Sequence, residues 1–131
     1  MAASVPDDVK YTKDHEWVRQ REAVVVVGIT DHAQRQLGTM VYVELPTVGD
    51  RFEAGDAFGS VESVKAVSEV FAPVSGQVVK VNEELSESPE QINDDPYGNG
   101  WLIEIRMASA TSATELLTPA EYASYIRDEE S

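Results

Sequence analysis

Short runs of β-branched and aromatic residues alternate with turn residues along nearly the whole chain, the pattern of a protein built from short strands. Residues 9–12 and 16–20 read as strands. Residues 23–29 form an apolar run too short for a typical helix and read as a buried strand. A short helix follows, with Thr30 as N-cap, Asp31 complementing the helix dipole and Gly38 at the position just past the C-terminus. Residues 40–45 read as a strand stopped by Pro46. Gly49-Asp50 and Gly55-Asp56 are turn signals. Residues 57–63 and 66–71 then form two β-rich arms, with Pro73 and Ser75-Gly76 closing the second, and residues 77–81 read as the next strand. Gly59 and Gly76 read as glycines that shape the hairpin turns. Residues 82–100 are rich in Ser, Asn, Asp, Pro and Gly. A loop of that length is functional or wraps the surface. Residues 101–106 give the last strand. Thr118-Pro119-Ala120-Glu121 is a capping box that opens a C-terminal helix over residues 118–127, with Tyr122, Tyr125 and Ile126 as its apolar stripe and a fraying end from Asp128 on.

These elements predict a mostly β fold. It is a β-sandwich or flattened barrel of short antiparallel strands, with short helices and a C-terminal helix. The 131 residues suit one domain spanning 1–131, with residues 1–8 as a loose tail. Hydrophobic content of 42% and charged content of 26% are an ordinary globular mix, so disorder over the whole length is not expected. No apolar run approaches the roughly 18 residues that span a membrane. The acidic start lacks the pattern of a secretory signal or transit peptide; a mature form that has lost its presequence stays open.

Charge and cysteine content narrow the function. The net charge is −14, which disfavours nucleic acid and anionic membrane surfaces and suits partners with basic patches. The chain has no cysteine, so structural disulfides and thiol catalysis are excluded, and any redox role needs an attached cofactor. His15 and His32 stand well apart, without a carboxylate at zinc-motif spacing to both, so no metal site is expected.

Lys65 is the candidate functional residue. It falls between the two arms, at the tip of a hairpin, whereas Lys10, Lys13 and Lys80 have no such setting. An exposed amine is protonated at neutral pH and a poor nucleophile. Its modification requires an enzyme that supplies an activated acyl group. A Schiff-base lysine wants a desolvated site, the opposite of a hairpin tip. A solvated surface lysine is the competing reading, and spacing alone does not separate the two.

Val61-Glu62-Ser63-Val64-Lys65-Ala66-Val67-Ser68-Glu69-Val70, followed by Ala72-Pro73-Val74-Ser75-Gly76, resembles the lipoyl-attachment signature of the glycine cleavage system H protein family. Further blocks resemble that family in the same order. They include Asp14-His15-Glu16-Trp17, Gly28-Ile29-Thr30-Asp31-His32 and Ile92-Asn93-Asp94-Asp95-Pro96-Tyr97-Gly98-Asn99-Gly100-Trp101, and together they cover roughly residues 9–127. Biotin carriers place Met on both sides of the lysine, where this chain has Val64 and Ala66.

The resemblance implies a lipoyl/biotinyl-carrier type hybrid fold and a non-catalytic carrier with lipoate in amide linkage on Lys65; a carrier that visits three enzymes in turn is best served by a monomer, and the oligomeric state stays open. It implies Glu62 as a recognition residue for a lipoate ligase or lipoyl transferase. It also implies Asp14, Glu16 and Glu69 as the cleft that shields the aminomethyl-bearing arm, although the family often has Ser where Asp14 stands. The partners it implies are glycine decarboxylase (P protein), an aminomethyltransferase (T protein) and dihydrolipoamide dehydrogenase (L protein). The setting is a bacterial cytoplasm, or a mitochondrial matrix for a processed form. A lipoyl donor to other carriers and an inert interaction module are the competing functions.

Overall fold

A computed structural model describes residues 4–108 and 116–130. In chain order the elements are β1 (Lys10–Tyr11), β2 (Glu16–Arg21), β3 (Val24–Ile29), α1 (Asp31–Leu37), β4 (Met40–Glu44), β5 (Arg51–Phe52), β6 (Ala57–Ser63), β7 (Val67–Phe71) and β8 (Gly76–Val81). A 3-10 turn (Glu83–Ser86), α2 (Gln91–Asp94), β9 (Ile103–Met107) and α3 (Pro119–Glu130) complete the chain. The strands form a six-stranded sheet in the order β1-β2-β3-β9-β8-β5 and a three-stranded sheet in the order β4-β6-β7. Every pairing is antiparallel. The expected mostly β, flattened sandwich is therefore the fold observed, without a closed barrel among the described residues. No helix of the described residues is long and apolar enough to cross a membrane.

Two hydrophobic clusters explain the unbroken apolar run of β3. Val25 and Val27 point into the main core, with Val43, Val61, Val70, Val78, Ile103 and Ile105 from both sheets. Val26, on the opposite face, joins Val9, Tyr11, Trp17, Tyr122 and Ile126. That second face is covered by α3, whose Tyr122 ring stacks on Tyr11 with centroids 4.4 Å apart. Covering both faces of a strand removes the need for polar alternation.

The predicted helix ends hold. Thr30 Oγ1 accepts the Ala33 N–H at 3.2 Å, and Gly38 donates its N–H to Gln34 O with φ of +88°. Thr118 and Glu121 form the reciprocal capping box, at 2.9 and 3.2 Å. Three expectations are corrected. Residues 82–100 are not irregular throughout, because Leu85 and Ile92 are fully buried and fold the 3-10 turn and α2 around them. The C-terminal helix does not fray at Asp128 but runs to Glu130. Gly59 and Gly76 lie within strands rather than turns; a Cβ on either would strike backbone carbonyls, of Glu44 and Arg106 respectively, so glycine permits close strand approach there. Residues 4–8, within the expected tail, carry no helix or strand, but Ser4 N–H reaches Asp31 Oδ2 at 2.8 Å and Tyr11 Oη donates to Pro6 O at 2.6 Å.

Candidate functional site

Lys65 stands exposed in the tight connection between β6 and β7. Two-residue hairpin connections usually need left-handed residues, yet neither Val64 nor Lys65 has a positive φ. The buried side chain of Ser63 does the closing instead. Its Oγ accepts the N–H groups of Lys65 and Ala66 at 3.3 and 3.1 Å. Ser63 N–H also donates to Ala66 O at 2.8 Å. The tip is then tied to the rest of the molecule, since Val64 N–H donates to Thr39 O at 3.1 Å. Lys65 Cε passes 3.8 Å from the place a Cβ on Gly38 would occupy. Asn93 fixes that neighbour, donating to Gly38 O at 2.9 Å and accepting the Met40 N–H at 2.9 Å.

The surface beside the lysine is apolar and acidic. Val64 is 72% and Val67 66% exposed. Glu62 is exposed and lies in cross-strand register with Tyr42 on one side and Val67 on the other.

Two cavities adjoin the turn between β1 and β2. The larger, about 430 Å³, is lined by Asp14, His15, His32, Leu37, Ser68 and Glu129, among others. The smaller, about 220 Å³, includes Thr12, Asp14, Glu16 and Phe71 in its lining. Asp14 is exposed and lines both. Glu16 is 2% exposed and both its carboxylate oxygens are engaged. Thr12 Oγ1 donates to Oε1 at 2.6 Å, and Phe71 N–H donates to Oε2 at 3.0 Å. Burial pushes its pKa up to about 7 against the pull of those two donors. Glu69 is exposed on β7 and lines neither cavity. The structure thus brings Asp14 and Glu16 together and leaves Glu62 and Glu69 on the outer surface of the hairpin.

A family model described as "Glycine cleavage H-protein" matches residues 9–129. The chain belongs to the glycine cleavage H-protein family. It is 55% identical over 97% of its length to a glycine cleavage system H protein of Herpetosiphon aurantiacus, of which the match also covers 97%. It is 52% identical to one from Rubrobacter xylanophilus, over 98% of this chain and 99% of the relative. A crystal structure of a glycine cleavage system H protein from Mycobacterium marinum superposes with a TM-score of 0.88 at 43% identity, covering 94% of this chain and 99% of that one.

Sequence reasoning missed two histidines of the larger cavity as partners. The His15 and His32 rings lie 4.8 Å apart between centroids, and Glu129 closes on both. His15 Nε2 is 3.0 Å and His32 Nε2 3.7 Å from Glu129 Oε2. His15 has a φ of 68°, an unusual backbone for a residue with a side chain. Desolvation lowers its pKa, against the raising effect of Glu129.

Proposed function

We propose that this chain is the non-catalytic lipoyl carrier of a glycine cleavage system, one carrier unit over residues 1–131, with lipoate in amide linkage on Lys65. The exposed, side-chain-clamped hairpin tip beside a cavity supports this reading most directly. Lipoate supplies the disulfide–dithiol chemistry that a cysteine-free chain lacks, and the protein contributes presentation and protection.

The residues present suit that group. Ser63 and the Thr39 carbonyl hold the tip so that Lys65 projects, with Gly38 beside its stem. Asp14, facing both cavities, supplies a carboxylate for the cationic amine of an aminomethyl cargo. Glu16 sits behind it with a pKa near neutrality, so an arriving ammonium favours its ionised form. Glu69, on the outer surface of the hairpin, adds negative charge near the lysine rather than within the cleft. Glu62, framed by Tyr42, Val64 and Val67, offers the lipoate ligase or lipoyl transferase one charge within an apolar patch.

The carrier passes the aminomethyl group from glycine decarboxylase to the aminomethyltransferase, and its dithiol to dihydrolipoamide dehydrogenase, in a bacterial cytoplasm. The test is glycine–bicarbonate exchange with purified glycine decarboxylase. Lipoylated wild type supports the exchange and Lys65→Arg does not. Exchange by Lys65→Arg, or none by lipoylated wild type, contradicts the reading.

A further inference from the structure

Three side chains from three separate elements converge at the larger cavity. His15 comes from the β1–β2 turn, His32 from α1 and Glu129 from α3, and one ligand atom from each lies within 4.8 Å of the others. We propose that His15, His32 and Glu129 bind one divalent transition-metal ion, with zinc the best chemical match, clasping the end of α3 to α1 and the β1–β2 turn.

The donor set and its spacing carry the assignment. Imidazole nitrogen and carboxylate oxygen are zinc ligands, and bonds of about 2.0–2.1 Å at tetrahedral angles put donors roughly 3.3 Å apart. The distances from Glu129 Oε2, 3.0 Å to His15 Nε2 and 3.7 Å to His32 Nε2, bracket that figure; the three donors spread over no more than 4.8 Å, so small rotations of the rings bring all of them onto one ion. The cavity of about 430 Å³ leaves room for water as the remaining ligand.

A second layer is in place for His15. Its Nδ1 is 2.8 Å from Tyr122 Oη, which is 2.7 Å from Thr30 Oγ1. Without an ion, Nε2–H donates to Glu129 and Tyr122 donates to Nδ1. With an ion, the proton resides on Nδ1 and is accepted by Tyr122, whose own hydroxyl turns toward Thr30. Reversible hydroxyls make both arrangements satisfiable, and such a partner orients a metal-bound histidine. The backbone is held for the purpose as well. His15 keeps its left-handed φ of 68° through His15 N–H to Thr12 O at 3.2 Å and Thr30 N–H to His15 O at 3.0 Å. Unusual backbone held on both sides is a feature of binding sites. The net charge of −14 favours cations in the surrounding field.

The test uses the unlipoylated full chain, stripped with a chelator, so its outcome is independent of the carrier reading. Zinc titration gives one-to-one binding and raises the melting temperature; cobalt gives the visible spectrum of a tetrahedral ion at the same stoichiometry. Losing an outer-layer partner costs about 10–100-fold in affinity, so losing a ligand costs at least about tenfold. Glu129→Gln and His32→Ala both show that loss, and Glu87→Gln, an exposed carboxylate outside the cavity, does not. Glu129, at 40% side-chain exposure, can be changed without endangering the fold. Absence of one-to-one binding, or zinc affinity unchanged in Glu129→Gln, overturns the proposal.

Discussion

Glu16 Oε2 accepts the backbone N–H of Phe71 at 3.0 Å across 55 residues, so one buried carboxylate joins β2 of the larger sheet to β7 of the smaller. Glu16→Ala leaves that N–H and the Thr12 hydroxyl without their acceptor. The expected cost is about 1–3 kcal/mol of unfolding free energy, read as a lower denaturant midpoint with unchanged slope. A midpoint equal to that of the wild type contradicts the bridging role.

The same residue gives a pH signature. Its folded pKa of about 7 lies above the ordinary 4.5, chiefly through burial. The folded chain therefore holds a proton that the unfolded chain has already released. The associated stability is complete below about pH 4.5 and is lost as pH rises through about 7. Glu16→Gln carries no such proton. Its stability relative to wild type rises between pH 5 and 8 by up to ~3 kcal/mol. His15, whose pKa is lowered mainly by burial, contributes the opposite slope, with stability lost in acid, but it does so in both proteins. Parallel stability–pH curves for variant and wild type sink this account of Glu16.

Gly38 is predicted to resist substitution because of its backbone. Its φ of 88° with ψ of −159° belongs to a region that is essentially glycine's alone, and a side chain there costs on the order of 1–3 kcal/mol. The space itself would admit a methyl group, since a Cβ would stand in ordinary contact, 3.8 Å, with Lys65 Cε. Gly38→Ala lowers the melting temperature. An unaltered melting temperature removes the backbone argument.

Gly28 backs onto a pinned indole. A Cβ on Gly28 would lie 2.6 Å from Trp17 Nε1, and that nitrogen already donates to Pro96 O at 2.8 Å. Gly28→Ala must displace a fully buried ring, at a cost of about 1–3 kcal/mol from overpacking. Thermal unfolding checks it, and a melting temperature within error of wild type counts against the packing described.

What the sequence makes legible is local. The Thr30 cap, the Gly38 stop, the Thr118–Glu121 box and the arms around Lys65 each rest on residues a few positions apart, and each is found in place. Long-range events are hidden. Nothing near Glu16 in the chain announces that Phe71, 55 residues away, will cover it, so its burial is invisible in the sequence. His15, His32 and Glu129 meet only because α3 packs across β1 through Tyr122 and Tyr11. The one hint was the aromatic stripe of α3, which fixes where the helix docks but not which residue of its last turn reaches inward. Leu85 and Ile92, lone apolar residues among turn formers, were the signal that the long loop folds inward.

Peptide mass spectrometry of protein purified from its own source reads directly whether Lys65 carries lipoate. The expected result is a lipoyl-sized mass gain confined to the Lys65 peptide, absent from Lys65→Arg, which keeps its fold because Lys65 is exposed. An unmodified Lys65 in cells able to lipoylate, or the same gain on another lysine, would contradict it.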